Sequence, residues 1–151
     1  MQILGLNAFH GDASAASLSH GQLTAAIEEE RFNRQKHWAG LPAQAALAVL
    51  SGAQPDHIAI SRDPKAHLWQ KLARLALRPA DWTRLTSRAG NTIRVSRYTE
   101  ELEQVGIAAN KATTHFVEHH RAHLASAFFC GPFDEAAVIS IDGFGDFSSV
   151  M

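Results

Sequence analysis

The stretch ILGLNAFHGDAS, residues 3–14, aligns with VISIDGFGDFS, residues 138–148, once His10 is treated as an insertion. Each copy has an apolar strand, a turn containing glycine, and then Asp and Ser. Backbone N–H groups in such a turn are little covered by side chains, so the turn can bind a phosphate group. A lone copy would fit an ordinary β-hairpin better, but two facing copies predict a clamp for a nucleotide or an acyl phosphate.

Hydrophobic patterning around these copies predicts a three-strand meander followed by alternating helices and strands. The chain is therefore expected to be an α/β domain with a mixed sheet. This order matches the first half of a duplicated ribonuclease H-like, actin-like fold. The predicted strands lie at about Gln2–Ala8, Ser14–Ser19, Gln22–Glu28, His57–Ile60, Thr114–Val117 and Ala136–Asp142, and the predicted helices begin at Pro42, near Leu68, near Ile93 and at His119.

This pattern also predicts the domain organisation. Residues 1–135 would form the first actin-like subdomain, with a basic helical insertion at about 62–110. Residues 136–151 would supply the first strand and phosphate loop of a second subdomain. We therefore expect the chain to be an N-terminal fragment that is inactive without the missing C-terminal part of the same protein.

Composition and charge limit the class of protein. The 151 residues are 46% hydrophobic, enough for one core, and the net charge is −1. No leader pattern or bilayer-length apolar run is present, which predicts a cytoplasmic protein without membrane contact. The segment from Arg62 to Arg97 has nine Lys or Arg against two Asp, about +7. It would suit nucleic acid, but a solvated helical face or an acidic contact elsewhere in the protein is the favoured interpretation, so nucleic acid is an unlikely partner.

A candidate metal motif lies near the second copy. His119 and His123 are spaced i, i+4, which on a helix places both imidazoles on one face. Asp142 follows at the expected tip of the last strand, giving two nitrogens and one oxygen with coordination positions left open. His115 and His119 form a rival pair of the same spacing. A structural role for the histidines, and a turn-closing role for Asp142, are the alternatives.

Four blocks in order, residues 4–16, 28–37, 119–123 and 142–146, resemble the N-terminal part of the O-carbamoyltransferases, which carbamoylate nodulation factors and antibiotics. These enzymes are related to the threonylcarbamoyl transferases that modify transfer RNA. The resemblance implies that carbamoyl phosphate and ATP react to give carbamoyl adenylate and pyrophosphate. The carbamoyl group then moves to a hydroxyl of a small-molecule or saccharide acceptor.

The resemblance also implies roles for individual residues. It places the metal ligands at His119, His123 and Asp142, and the catalytic contacts to carbamoyl phosphate at His10 and Lys36. Iron is the metal it favours, although zinc or manganese would suit the same ligands, and ATP as co-substrate would bring magnesium. The remaining candidates for substrate binding are Asp12, Arg31, His120, Gly143 and Gly145.

The chemistry of these side chains fits such a reaction. A divalent metal would polarise a carbamoyl or phosphate oxygen. Lys36 and Arg31 would neutralise phosphate charge, and His10 would donate a hydrogen bond or move a proton. The alternatives are a solvated Lys36, a module for nucleic-acid binding or transfer-RNA threonylcarbamoylation, and an inactive truncated remnant.

Overall fold

The computed structural model describes residues 1–63, 97–145 and 148–150. Of residues 142–145 and 148–150 it describes the backbone alone. In chain order, its strands are β1 (Gln2–Asn7), β2 (Ser14–Ser19), β3 (Gln22–Glu28), β4 (His57–Ile60), β5 (Thr113–Phe116), β6 (Ile141–Gly145) and β7 (Ser148–Val150). The helices are α1 (Glu30–Asn33), α2 (Ala43–Leu50), α3 (residues 97–104) and α4 (His119–Phe129), and a 3-10 turn spans Ala109–Lys111.

Five strands form a mixed sheet in the order β3-β2-β1-β4-β5. Strand β2 runs antiparallel to both β1 and β3, whereas β1, β4 and β5 run parallel to one another. The carboxyl ends of β1, β4 and β5 therefore meet at one edge of the sheet. The loop after β1 and the start of α4 both lie at this edge, which is the topological reason that they can share a site.

The predicted early hairpin is confirmed. Strands β2 and β3 have the expected bounds, and His20 and Gly21 between them have φ angles of 50° and 82°. Positive φ at both central residues is the property of type I′ turns, whose twist matches that of the flanking strands. Local sequence alone therefore determines this connection.

The hydrophobic core lies on one face of the sheet. Alternate residues of β1 and β4 point into it, so that Leu4, Leu6, Ile58 and Ile60 are almost completely buried. Helix α2 covers this face with a stripe that includes Ala46 and Leu50, as its apolar spacing predicts, whereas Leu47, expected on the same stripe, is 42% exposed. The core also includes Ala45, Ala46, Val49, Leu50, Tyr98, Leu102 and Ile107.

A buried carboxylate anchors α2 to the sheet. Glu29, only 4% exposed, accepts hydrogen bonds from the backbone N–H of Ala45 at 2.8 Å and of Gln44 at 3.3 Å. These N–H groups belong to the first turn, which has no partners inside the helix. The sequence analysis missed this tertiary cap because Glu29 lies fourteen residues before the helix it caps.

The predicted sixth strand is wrong in its bounds and its burial. The strand begins only at Ile141, and Val138, Ile139 and Ile141 are 42%, 71% and 75% exposed. An apolar run becomes a buried strand only where neighbouring strands and a covering layer are available, and in the described chain β6 pairs with β7 alone. Asp142 is consequently the second residue of β6 and does not end a strand, while Gly143 and Gly145 lie in β6 and not in a turn.

Other predictions agree with the fold in part. Strand β5 begins one residue earlier than predicted, α4 has the expected bounds, and the short α1 was not predicted. Most of the basic segment lies outside the described residues, as does the helix predicted near Leu68, whereas the described part of the helix predicted near Ile93 is α3. Among the described residues, no helix has the length and apolar character needed to cross a membrane.

Candidate functional site

The loop at residues 8–13 carries the first predicted site residues from β1 to β2. Its conformation includes positive φ angles at two non-glycine residues, 60° at Phe9 and 61° at Asp12. The Asn7 side-chain amide donates to the Asp12 carbonyl at 3.1 Å and helps to hold this shape. Such backbone conformations cost energy and persist where the surroundings fix them. The loop is therefore shaped by its contacts and not by glycine.

A second loop fixes the first one from outside. The Phe9 N–H donates to the Gly40 carbonyl at 3.1 Å, and the Ala13 N–H donates to the Trp38 carbonyl at 2.9 Å. Residues 36–40 therefore lie beside residues 9–13, although more than twenty residues separate them in sequence. Lys36 precedes this contact by two residues, and its predicted role in binding carbamoyl phosphate stays a prediction.

A side-chain hydrogen bond that the sequence analysis did not foresee joins these loops. His37 Nδ1 lies 2.8 Å from Asp12 Oδ1, and both side chains are exposed, at 81% and 59%. Asp12 was predicted to bind substrate, but in this structure one of its carboxylate oxygens contacts His37. The finding assigns Asp12 a part in positioning the loop, and its substrate contact stays a prediction.

The two predicted cationic residues differ in their surroundings. Lys36 is exposed, and no hydrogen bond or ion pair of its ammonium is present among the described residues. Arg31 donates to Glu28 Oε2 at 2.7 Å and lies 3.7 Å from Glu30 Oε1. Because these acids already neutralise the guanidinium, Lys36 is the better placed of the two to receive a phosphate group.

The N-terminus of α4 is capped by its own preceding residue. The Glu118 carboxylate, largely buried, accepts hydrogen bonds from the backbone N–H of His120 at 3.1 Å and of Arg121 at 2.8 Å. A side chain that binds these first N–H groups fixes where a helix begins. Glu118 thereby fixes the position of His119 as the first residue of α4.

The histidines of both predicted blocks come together at this end of the sheet. His119 Nε2 and His123 Nε2 are 3.1 Å apart, so the two imidazoles lie on one face of α4 as expected. The His10 ring approaches the same place, with its centroid 5.3 Å from that of His119. Residues 109 positions apart in sequence thus form one cluster, which we call the histidine cluster (His10, His119 and His123).

The donor set of the histidine cluster suits a divalent transition metal only in part. Two imidazole nitrogens at this separation are compatible with a single cation. Among the side chains that the structure describes, however, no three of His, Cys, Asp or Glu are grouped as metal ligands. The side chain of Asp142 lies outside those described, so its role as the third ligand stays a prediction, as do the substrate contacts of Gly143 and Gly145.

His120 has a different environment from the one predicted. Its side chain is completely buried, and Nδ1 lies 2.9 Å from Ser140 Oγ. The side chain has no exposed surface in this structure, and its direct substrate contact stays a prediction. His120 instead connects α4 to the segment that leads into β6, where Asp142 lies.

Comparison with known proteins gives consistent matches over almost the whole chain. Residues 2–150 match a family model described as "Carbamoyltransferase N-terminus". The chain is 33% identical to the uncharacterized protein sll1178 of Synechocystis, with 97% of the chain aligned, and 31% identical to the nodulation protein NolNO of Sinorhizobium fredii, with 95% aligned. It is also 28% identical to the uncharacterized protein MJ1051 of Methanocaldococcus jannaschii. The matches cover 26%, 21% and 22% of these relatives, so the chain spans about a quarter of their length or less.

Proposed function

Because the chain belongs to the family of carbamoyltransferase N-termini, we propose that it forms the donor side of an O-carbamoyltransferase site. Carbamoyl phosphate and ATP yield carbamoyl adenylate, and the carbamoyl group then passes to the hydroxyl of a small-molecule or saccharide acceptor. The observation that carries this proposal is the histidine cluster, in which His10 of the first loop meets His119 of α4. Both are histidines for which the sequence resemblance implies a role in this reaction.

The proposed reaction balances with one water molecule. Water cleaves carbamoyl phosphate to carbamate and inorganic phosphate, and a carbamate oxygen attacks the α-phosphorus of ATP while pyrophosphate leaves. The acceptor oxygen then attacks the carbamoyl carbon, AMP leaves, and the hydroxyl proton passes to a base. Each step therefore needs groups that bind phosphate and groups that move protons.

His10 is the residue we propose for proton movement. Its ring is exposed and lies beside His119, so it is open to a substrate that reaches the edge of the sheet. An imidazole changes its protonation near neutral pH, which suits it to donate a proton to leaving phosphate or accept one from a hydroxyl. The fixed conformation of the loop at residues 8–13 would orient it.

Lys36 is the residue we propose for holding the phosphate group. It lies at the start of the loop at residues 36–40, which is joined to residues 9–13 by backbone hydrogen bonds. An ammonium group provides a compact positive charge and strong hydrogen bonds to phosphate oxygens. The hydrogen bond between Asp12 and His37, the residue after Lys36, supports this placement because it joins the two loops.

His119 and His123, with Asp142 as the further proposed ligand, would hold a divalent cation, with iron preferred and zinc or manganese as alternatives. Such a cation supplies Lewis-acid polarisation of a carbamoyl or phosphate oxygen. The imidazole separation of 3.1 Å supports this assignment. The contact of His120 with Ser140 supports it further, since it joins the helix of the histidines to the segment before Asp142.

We also propose that the sheet is the first half of a duplicated actin-like fold. Its order β3-β2-β1-β4-β5, with β2 alone reversed, supports this. Residues 1–135 would form the first subdomain and residues 136–151 the opening of the second. The exposed side chains of Phe129, Phe133, Ile139 and Ile141, which are 61–80% exposed, would then contact the C-terminal part of the same protein.

A pyrophosphate-release assay tests the proposed activity in the protein that carries this N-terminal region. ATP should release pyrophosphate when carbamoyl phosphate is added and should not do so with acetyl phosphate, the matched control. Equal release without carbamoyl phosphate would remove the assignment. Release that depends instead on threonine and bicarbonate, with label passing to transfer RNA, would favour the related threonylcarbamoyl transfer.

A further inference from the structure

A second pair of histidines lies on the sheet itself, apart from the histidine cluster. His57 is the first residue of β4, and His115 is the third residue of the neighbouring strand β5. In the parallel register His57 pairs with Thr113 and Ala59 pairs with His115, so the two histidines are diagonal neighbours on the same face. This face is opposite the one that carries Ile58 and Ile60 into the core.

The two imidazoles are in direct contact. His57 Nδ1 lies 3.1 Å from His115 Nε2, and the ring centroids are 5.2 Å apart. The separation equals that between the Nε2 atoms of His119 and His123, the pair to which the proposed function gives a cation. A tetrahedral ion about 2.0–2.1 Å from each nitrogen would hold two ligand atoms about 3.3 Å apart. The spacing of the two nitrogens is therefore close to that of a chelate, and both rings would turn so that their lone pairs point to the ion.

From this geometry we infer that His57 and His115 form a binding site for a divalent transition-metal ion of the zinc type. In the metal-free chain the two nitrogens share one proton in a hydrogen bond, and the ion takes the place of that proton. The inference is independent of the proposed carbamoyl transfer.

The surroundings of the pair decide the class of ion. Its described neighbours on the same face of these two strands, Ala59 and Thr113, are uncharged. The carboxylate of Asp56, the residue before His57, accepts a hydrogen bond from Gln2 N at 2.7 Å and lies 3.8 Å from the N-terminal ammonium. Since the described chain provides no third ligand, water would complete the shell. Two imidazoles without carboxylate select zinc, nickel or copper over magnesium and calcium.

The position of the site indicates what the ion would do. Strand β5 is the outermost strand of the described sheet on this side, and β4 is its partner. An ion held by both strands would cross-link them and stabilise the folded chain by mass action. Because α4 begins only after β5 ends, such a cross-link would also hold the strand that leads into the histidine cluster.

Zinc titration of the purified chain, followed by competition with a chromophoric chelator, tests the inference. The variant His119→Ala/His123→Ala removes the proposed catalytic ligands and should still bind one zinc ion. Adding His57→Gln or His115→Gln to that variant should abolish the remaining equivalent, whereas adding His20→Asn, in the exposed β2–β3 turn, should leave it. Zinc should also raise the melting temperature of the double variant, and magnesium should not.

The outcomes separate the two sites. A double variant that binds no zinc would overturn the His57–His115 site without touching the proposed function. Zinc binding that persists after His57→Gln and His115→Gln would likewise overturn it, as binding would lie elsewhere. Circular dichroism of each variant confirms that its fold is retained, and Gln keeps the size and polarity of the replaced side chain.

Discussion

The buried His120 Nδ1 lies 2.9 Å from Ser140 Oγ, and this contact joins the first turn of α4 to the residue just before β6. The side chains of His119 and His123 emerge from α4, and Asp142 lies two residues beyond Ser140. The hydrogen bond therefore fixes the distance between the two segments from which the proposed metal ligands come. It gives His120 a positioning role that differs from the predicted substrate contact.

Ser140→Ala should loosen this connection. Loss of one buried hydrogen bond should lower the free energy of unfolding by about 1 kcal/mol, which urea denaturation can measure. It should also reduce the iron or zinc retained on purification, measured by elemental analysis. Ser126→Ala is the control, because the exposed Ser126 hydroxyl donates a hydrogen bond to the His123 carbonyl of its own helix. Equal metal content in both variants would remove the positioning role.

Glu29→Ala should destabilise the chain much more than Glu28→Ala. The Glu29 carboxylate is buried and caps α2, so its removal leaves buried N–H groups without partners, at a cost of about 1–3 kcal/mol. Glu28 forms an ion pair with Arg31 in which both side chains are substantially exposed, and such pairs contribute about 0–1 kcal/mol. Denaturant unfolding of the two variants measures the difference, and similar midpoints would contradict the assigned cap.

Gly40→Ala should disturb the contact between the two loops. A Cβ at residue 40 would lie 2.7 Å from Trp38 Nε1, closer than real contacts allow, so the Trp38 ring or the backbone must move. The Gly40 carbonyl is the acceptor for the Phe9 N–H, and its displacement should weaken carbamoyl phosphate binding as well as stability. Gly11→Ala is the control, because a Cβ at residue 11 meets no atom within 4 Å. Gly52→Ala is unsuitable, because the φ of +88° at Gly52 strains any residue with a side chain. Unfolding midpoints compare Gly40→Ala with Gly11→Ala, and no difference would refute the clash.

Lys36→Ala should weaken carbamoyl phosphate binding by about tenfold or more, the loss expected for one charge-assisted hydrogen bond. Calorimetry with carbamoyl phosphate measures the affinity, and metal content should stay unchanged. Lys111→Ala is the matched control, because Lys111 is also exposed but lies in the 3-10 turn before β5. An affinity unaffected by Lys36→Ala would mean that this side chain is merely solvated.

His123→Ala should remove the metal that the histidine cluster retains. With His119 as the only remaining imidazole on that face of α4, the proposed set keeps too few ligands to hold an ion through purification. Elemental analysis should find one equivalent fewer than in the unaltered protein, while His20→Asn should leave the content unchanged. Undiminished metal in His123→Ala would place the cation elsewhere.

Local patterning was sufficient for much of the fold. The alternation of apolar residues gives β1, β2, β3 and β4 almost to the residue, and the spacing of His119 and His123 places both on one helix face. These features depend on neighbours within a few positions, whose geometry the backbone periodicities of strand and helix fix. The family relationship was likewise readable from four short blocks of sequence and agrees with the match over residues 2–150.

Only the tertiary structure decided which distant residues meet. It brings together His10 and His119, His37 and Asp12, Glu29 and the start of α2, and His57 and His115. The sequence around each of these residues does not predict its partner. It also leaves Ile139 and Ile141 exposed where their hydrophobicity alone predicts burial. The physical reason is that hydrogen bonds, ion pairs and burial depend on what strand order and packing bring within a few ångströms, and strand order is a property of the whole chain.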